Sequence, residues 1–237
     1  MRKFAVFDID GTLFRSGLYR EVIYELLAAG QAPKSLREAF HDLEINWKAR
    51  KSSDAFKAYE SAMAVAFDAA LPHVRITDFE QAAKTVVERM SEYVYVYTRD
   101  IIKRFKEEGY TLIAISGSQE EIVQPFVEKY GFDLWIGQHY ERGPDGFFTG
   151  RIVKTHDGKD RILRRLVADN ELTFEESIGV GDTKGDIGML SIVQHPIAFN
   201  PESELFEHAK QAGWPITIER KNMIYNLEPH GNTFILV

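Results

Sequence analysis

Two aspartates directly after the first apolar run of the chain are the residues best suited to chemistry. The run Phe4 to Phe7 ends at Asp8, and Asp10 stands two positions later. Such a run is typical of a strand buried on both faces, and open parallel sheets bind ligands beyond the carboxyl ends of their strands. Because side chains two positions apart share a face of an extended chain, both carboxylates can converge on one ligand. A simple turn that uses Asp10 and Gly11 explains the same residues equally well.

A second acidic pair lies far along the chain, where Asp182 and Asp186 follow the short run Ser177 Ile178. Two acid-bearing strand ends in one domain indicate a shared cation. The glycines at 179 and 181 begin like a dinucleotide-binding fingerprint, but Lys184 takes the place of its last glycine. The carboxylate of Asp182 would also repel a pyrophosphate. We therefore exclude a dinucleotide site here.

A hydroxyl residue and a lysine lie between the two acidic pairs. An apolar run ends at Ser116, which Gly117 and Ser118 follow, and Lys159 precedes the second pair. Taken alone, a serine before a glycine starts a turn or caps a helix, and Ser118 is equally explained as a cap. A lysine in a first helical turn is ordinarily solvated, and Lys154 competes with Lys159 for any role in a site.

These segments, in this order, resemble the four motifs of the haloacid dehalogenase superfamily. Asp8 to Leu13 is similar to motif one, 116–118 to motif two, Lys159 to motif three, and Gly181 to Asp186 to motif four. The segment from Ser116 through Pro125 to Gly131 resembles the phosphoserine-phosphatase-like branch. In that branch a helical cap is inserted between motifs one and two.

The resemblance implies an α/β fold: a three-layer, Rossmann-like core with a mostly parallel sheet, plus an inserted all-helical cap domain. The residue pattern agrees, because 17–90 has apolar residues at helical spacing without strand alternation. Later segments alternate between strand and helix patterns, with a hairpin turn at 143–146. We predict a core of residues 1–14 and 97–237 and a helical cap of residues 15–96. The cap is expected to close over the site.

The resemblance also implies a role for each site residue. Asp8 would attack phosphorus and form an aspartyl phosphate, and Asp10 would protonate the leaving alkoxide and then activate water. Ser116, the amide of Gly117 and Lys159 would hold the phosphate oxygens. Thr12 either touches the phosphate or caps the turn.

A carboxylate that attacks a phosphate dianion needs a cation between the two, and the resemblance implies Mg²⁺. Asp8, the backbone carbonyl of Asp10 and Asp182 would be its ligands, since a hard ion prefers oxygen donors. Asp186 is expected to hold a metal-bound water or to position a ligand. The seven histidines show no close pairing that would indicate zinc.

The second carboxylate of motif one favours phosphate esters over halides, because a departing halide needs no proton and the dehalogenases lack this residue. We predict hydrolysis of a small phosphorylated metabolite. A phosphotransferase or phosphomutase would use the same residues, and a catalytically retired, ligand-binding member is the alternative from another class. Phosphoserine is a doubtful substrate because the first acid after motif one, Glu21, comes late, whereas Phe14, Arg15 and Tyr19 favour a more anionic or more apolar substrate.

Composition sets wider bounds on function. The chain has 237 residues, a net charge of −7 and no cysteine. The charge argues against nucleic acid or a membrane surface as a partner, and disulfides and thiolate metal sites are excluded. No stretch is apolar enough for membrane insertion, and the first apolar run breaks at Asp8, too soon for a secretory signal. We expect a cytoplasmic protein.

Overall fold

The computed structural model describes every residue except Lys154, His156, Asp157 and Asn232. The described residues form two compact units. The first contains 1–17, 91–138 and 154–237, and the second contains 18–90 and 139–153. The division differs from the predicted domains in one main respect, because a β-hairpin groups with the inserted helices. The sequence predicts an inserted unit made only of helices, but the unit in the structure also contains this hairpin.

The first unit alternates strands with helices, as predicted. Its strands are β1 (Arg2–Phe7), β2 (Thr111–Gln119), the first part of β3 (Leu134–Arg142), β5 (Leu172–Gly181), β6 (His195–Phe199), β7 (Ile216–Arg220), β8 (Met223–His230) and β9 (Thr233–Leu236). Its helices are α5 (Val96–Glu107), α6 (Glu120–Lys129), α7 (Lys159–Asp169), α8 (Ile187–Leu190) and α9 (Ser203–Ala212). A 3-10 turn, Lys184–Asp186, precedes α8.

These strands form one sheet in the order β3-β2-β1-β5-β6-β7-β8-β9. Neighbours from β3 to β7 run parallel, and β8 and β9 extend the sheet as an antiparallel edge. The predicted, mostly parallel sheet is confirmed. The strands β8 and β9 were not predicted, because most of their side chains are exposed and carry no burial pattern.

Helices cover both faces of this sheet, which gives the three layers. Alternation in β1 sends Phe4 and Val6 to one face, where they pack with residues of α7, α8 and α9. Phe7 points to the other face and contacts Phe105 of α5, with ring centroids 6.4 Å apart. The apolar part of the central strand, from Phe4 to Phe7, is fully buried, as its continuous apolar sequence predicts.

The second unit consists of α1 (Leu18–Ala28), α2 (Lys34–Lys48), α3 (Ala55–Ala70), α4 (Ile76–Met90), a 3-10 turn (Leu71–His73) and the hairpin of β4 (Phe148–Val153) with the end of β3. The hairpin packs on the helices through aromatic side chains. Tyr140 lies against Phe67 and Phe79, and Phe148 makes an edge contact with Phe79. These contacts explain why the hairpin groups with the helical unit.

Among the described residues, no helix is both long enough and apolar enough to cross a membrane.

Candidate active site

The predicted site residues meet at the carboxyl ends of three adjacent strands. Asp8 follows β1, Asp182 follows β5 on one side, and Ser116 lies near the end of β2 on the other. Because these strands run parallel, their carboxyl ends lie at the same edge of the sheet. The backbone N–H of Asp8 donates to the carbonyl of Val180 at 2.9 Å, which links the first two strand ends directly.

The turn after β1 brings motif one against Asp182. The carbonyl of Ile9 accepts hydrogen bonds from the N–H groups of Thr12, Leu13 and Phe14. Gly11 has φ +86°, and a Cβ at this position would lie 2.1 Å from Oδ2 of Asp182. A glycine is therefore required both by the backbone conformation and by the close approach of the carboxylate.

Thr12 holds Asp182, a contact that neither reading of the sequence anticipated. Its hydroxyl donates to Oδ1 of Asp182 at 3.0 Å, and its side chain is fully buried. The hydroxyl of Thr98 in turn donates to the carbonyl of Thr12 at 2.9 Å. A phosphate-binding role for Thr12 stays a prediction, whereas its contact with Asp182 is part of the structure.

Lys159 lies between two carboxylates, at the first residue of α7. Its Nζ donates to Oδ1 of Asp8 at 2.5 Å and to Oδ1 of Asp186 at 2.6 Å. The residue is only 4% exposed, so Lys159 is not the solvated lysine that its place in a first helical turn would suggest. Its competitor Lys154 lies outside the described residues.

Asp186 organises the loop after β5. Its Oδ2 accepts hydrogen bonds from the backbone N–H of Asp182 at 3.1 Å and of Thr183 at 2.9 Å. Its Oδ1 accepts from Lys159, and its side chain is fully buried. Asp186 therefore positions both the loop and the lysine, and its role toward a metal-bound water or a ligand stays a prediction.

Asp10 is held from β2. The hydroxyls of Ser116 and Ser118 both donate to Oδ2 of Asp10, at 2.9 and 2.7 Å. The pairing of β2 with β3 shifts register between Ile115 and Gln119, so the two serines lie in an irregular part of the strand. Gly117 stands between them, with no atom within 4 Å of where its Cβ would be. Sequence reasoning treated Ser118 only as a cap, although its spacing of two from Ser116 was a usable signal.

Electrostatics in this cluster favour a cation. Burial raises the pKa of Asp8 to about 7, opposed by Lys159 and reinforced by Asp186 and Asp10. Burial and the neighbouring Asp8 and Asp186 raise the pKa of Asp182 well above its ordinary value. Burial lowers the pKa of Lys159, but the carboxylates of Asp186 and Asp8 outweigh it and raise the pKa overall. Burial is the main cause for both aspartates and the neighbouring carboxylates add to it, so a cation bound among them would favour their ionised forms.

The carboxylates fit a hard metal ion. Each of Asp8, Asp182 and Asp186 offers an oxygen, and these atoms lie within 4.8 Å of one another. Three carboxylates and the one ammonium of Lys159 carry a net charge of −2 when all are ionised, which a divalent cation would neutralise. Oxygen donors of this kind are the ligands that Mg²⁺ prefers.

Comparison with known proteins gives a consistent result. The family model for haloacid dehalogenase-like hydrolases matches residues 5–191. A histidinol-phosphatase from Neisseria meningitidis serogroup C is 27% identical over 231 residues, which cover 91% of this chain and 98% of that protein. A phosphoserine phosphatase from Streptomyces coelicolor is 27% identical over 145 residues, which cover 59% of this chain but only 35% of that protein.

Solved structures share the fold. A protein of unknown function from Bordetella pertussis Tohama I superposes with a TM-score of 0.71 at 21% identity, covering 92% of this chain and 99% of that one. A phosphoserine phosphatase in a phospho-aspartyl intermediate analogue form superposes with a TM-score of 0.64 at 22% identity, covering 93% and 94%. At these identities the likeness establishes the architecture.

Proposed function

Because this chain belongs to the haloacid dehalogenase-like hydrolases, in their phosphoserine-phosphatase-like branch, we propose that it is a magnesium-dependent phosphatase that forms an aspartyl phosphate on Asp8. The observation that carries the proposal is the convergence of Asp8, Asp10, Ser116 and Lys159 at one edge of the sheet. A nucleophile, a proton donor and positive groups for a phosphate are thereby brought together.

The reaction runs in two displacements. An oxygen of Asp8 attacks phosphorus, the bond between phosphorus and the ester oxygen breaks, and the departing alkoxide takes the proton of Asp10. Water then attacks the phosphorus of the aspartyl phosphate and gives a proton to Asp10. Inorganic phosphate leaves, and the carboxylate of Asp8 and the proton of Asp10 are restored.

The phosphate oxygens are bound by groups of β2 and α7. Ser116 donates its hydroxyl, Gly117 its backbone N–H and Lys159 its ammonium. The open space beside Gly117 supports this assignment, because no atom within 4 Å of its Cβ position would obstruct a ligand there. Thr12 contributes by holding Asp182 in place.

Asp8, Asp182 and the backbone carbonyl of Asp10 would hold Mg²⁺, and Asp186 would orient these groups through the loop and Lys159. When bound, the ion supplies the positive charge that lets a carboxylate approach a phosphate dianion. The raised pKa values of Asp8 and Asp182 support this assignment, because a bound cation would offset the burial and the mutual repulsion that raise them.

Histidinol phosphate is the first substrate that we propose to test, because the Neisseria relative matches this chain over nearly its whole length. Phosphoserine is the second, from the Streptomyces relative. Both compounds are phosphate monoesters of primary alcohols that carry an amino group. The role of the helical unit as a specificity-determining cap, and a cytoplasmic location, stay predictions.

The test is phosphate release from histidinol phosphate, phosphoserine and p-nitrophenyl phosphate, with Mg²⁺ and after treatment with EDTA. We expect turnover that requires the metal and that Asp8→Asn abolishes in a folded protein. The matched control is Asp169→Asn, at the far end of α7. Metal-independent turnover, or full activity in Asp8→Asn, would contradict the proposal.

A further inference from the structure

The carboxyl group of Asp10 is held twice at the same oxygen. Ser116 and Ser118 both donate to Oδ2, and both serines are fully buried. The two serines are also joined to each other, because the backbone N–H of Ser118 donates to Oγ of Ser116 at 3.0 Å. Asp10, Ser116 and Ser118 therefore form one hydrogen-bonded group.

Ser116 cannot serve two acceptors at once. A serine hydroxyl carries a single proton, and in the structure that proton goes to Asp10. In the proposed reaction the same proton is donated to a phosphate oxygen. Binding of the phosphate must then break the bond from Ser116 to Asp10. The proposed reaction assigns no phosphate-binding role to Ser118, and its hydrogen bond to Asp10, at 2.7 Å, is the shorter of the two.

We propose that Ser118 is the positioning residue of the general acid: its hydroxyl holds Oδ2 of Asp10 while the hydroxyl of Ser116 binds the phosphate. One fixed oxygen fixes the rotation of the whole carboxyl group, so that its proton stays aimed at the leaving oxygen. The inference rests on the proposed function, because it assigns Asp10 the task of protonating the alkoxide.

The backbone around the serines supports separate roles for Ser116 in phosphate binding and for Ser118 in positioning Asp10. The hydroxyl of Thr155 donates to the carbonyl of Ser116 at 2.7 Å, in a buried position. This bond fixes the strand at Ser116 independently of the Ser116 side chain. Ser116 can therefore rotate its hydroxyl toward a ligand without moving Ser118.

Loss of the Ser118 hydroxyl will lower kcat/KM most for substrates with basic leaving groups. An oxygen that leaves as a basic anion needs a proton in the transition state, whereas p-nitrophenolate departs readily without one. Phenyl phosphate and p-nitrophenyl phosphate are similar in size but differ in this property. Their comparison separates proton donation from phosphate binding, because both esters present the same phosphate.

The experiment measures kcat/KM for these two esters at saturating Mg²⁺ in the wild type, Ser118→Ala and Ser118→Thr. We expect Ser118→Ala to lower the value for phenyl phosphate by roughly 2- to 10-fold, the usual effect of one lost hydrogen bond between neutral groups. The value for p-nitrophenyl phosphate should change far less, and Ser118→Thr should restore the ratio. Ser177→Ala is the control, because Ser177 is equally buried and hydrogen-bonded in β5.

Each other outcome overturns the inference. Equal losses on both esters would show that Ser118 acts through phosphate binding or folding, and no loss would show that it does not hold Asp10. If circular dichroism shows that Ser118→Ala is unfolded, Ser118→Cys keeps the side-chain size with a weaker donor, and the same comparison decides. A wild type that hydrolyses no phosphate ester would instead contradict the proposed function.

Discussion

At the residue scale, the site is an arrangement of charges that only partly balance. The ammonium of Lys159 contacts Asp8 and Asp186, whereas the carboxylate of Asp182 accepts a hydrogen bond from the neutral hydroxyl of Thr12. Asp8, Asp182 and Asp186 each have a hydrogen-bonded neighbour before a ligand binds. The roles proposed for individual residues can therefore be separated by removing one contact at a time.

Removing the hydroxyl of Thr12 will weaken magnesium binding. In Thr12→Val the side-chain shape is kept, but Asp182 loses the donor that orients it. Partners that orient metal ligands typically contribute 10- to 100-fold in metal affinity. We expect the Mg²⁺ concentration for half-maximal activity to rise by roughly 10-fold, measured by titrating Mg²⁺ at saturating substrate. Thr12→Ser keeps the hydroxyl and serves as the control.

The same variant separates the two roles considered for Thr12. If the hydroxyl binds the phosphate, Thr12→Val will raise KM for the substrate at saturating Mg²⁺ and leave the metal titration unchanged. That result would contradict the role in holding Asp182.

At the scale of single elements, the turn after β1 and the ends of the helices decide where the side chains lie. Sequence patterns predict most of these elements, including a helix from Thr98 to Glu108, but they do not predict where α5 begins. The segment 93–97 is rich in residues typical of strands, yet the helix begins at Val96. The carboxylate of Glu219 accepts hydrogen bonds from the N–H groups of Val96 and Tyr97, at 3.2 and 2.8 Å. A cap so distant in sequence leaves no local signal.

Gly11→Ala tests the turn after β1. An alanine there would have an unfavourable positive φ, and its Cβ would lie 2.1 Å from Oδ2 of Asp182. Gly213→Ala is the matched control, because its φ is +69° and nothing lies within 4 Å of its Cβ position. We expect both variants to lose about 1–2 kcal/mol of unfolding free energy, but only Gly11→Ala to lose turnover, measured by urea unfolding and phosphate release. Equal turnover in the two variants would show that the contact with Asp182 does not matter.

Glu44 in α2 makes the stability of the helical unit depend on pH. The residue is 4% exposed. Burial raises its pKa, but hydrogen bonds from Lys48 and Arg37 outweigh this and lower the pKa overall below the ordinary 4.5. A carboxyl group with a lowered folded pKa stabilises the fold above its unfolded pKa, and this contribution is lost as the pH falls below 4.5 through the folded value.

We therefore expect Glu44→Gln to lower the free energy of unfolding by about 1–3 kcal/mol at pH 7. The difference from the wild type should shrink as the pH falls below 4.5. Urea unfolding at a series of pH values measures it. Glu38→Gln, an exposed position of the same helix, is the control. A difference that stays constant with pH would show that the ionised carboxylate is not the stabilising species.

At the scale of the whole molecule, the sequence was sufficient to predict the α/β architecture, because a mostly parallel sheet leaves continuous apolar runs and strand–helix alternation. The convergence of Asp8 and Asp182 was predictable for the same reason: parallel strands end at one edge. The bonds from Ser118 to Asp10 and from Thr12 to Asp182 depend on turn and strand irregularities that residue patterns do not encode. The hairpin was predicted, but its grouping with the helices depends on aromatic contacts between distant segments.

The most direct test of the central claim is to look for phosphate on the nucleophile. The enzyme would be mixed with substrate and Mg²⁺, quenched in acid during turnover, digested and analysed by mass spectrometry. We predict a phosphorylated peptide that contains Asp8, and that is absent from Asp8→Asn and after the substrate is exhausted. Rapid turnover with no phosphorylated peptide, or phosphate on another residue, would contradict the account.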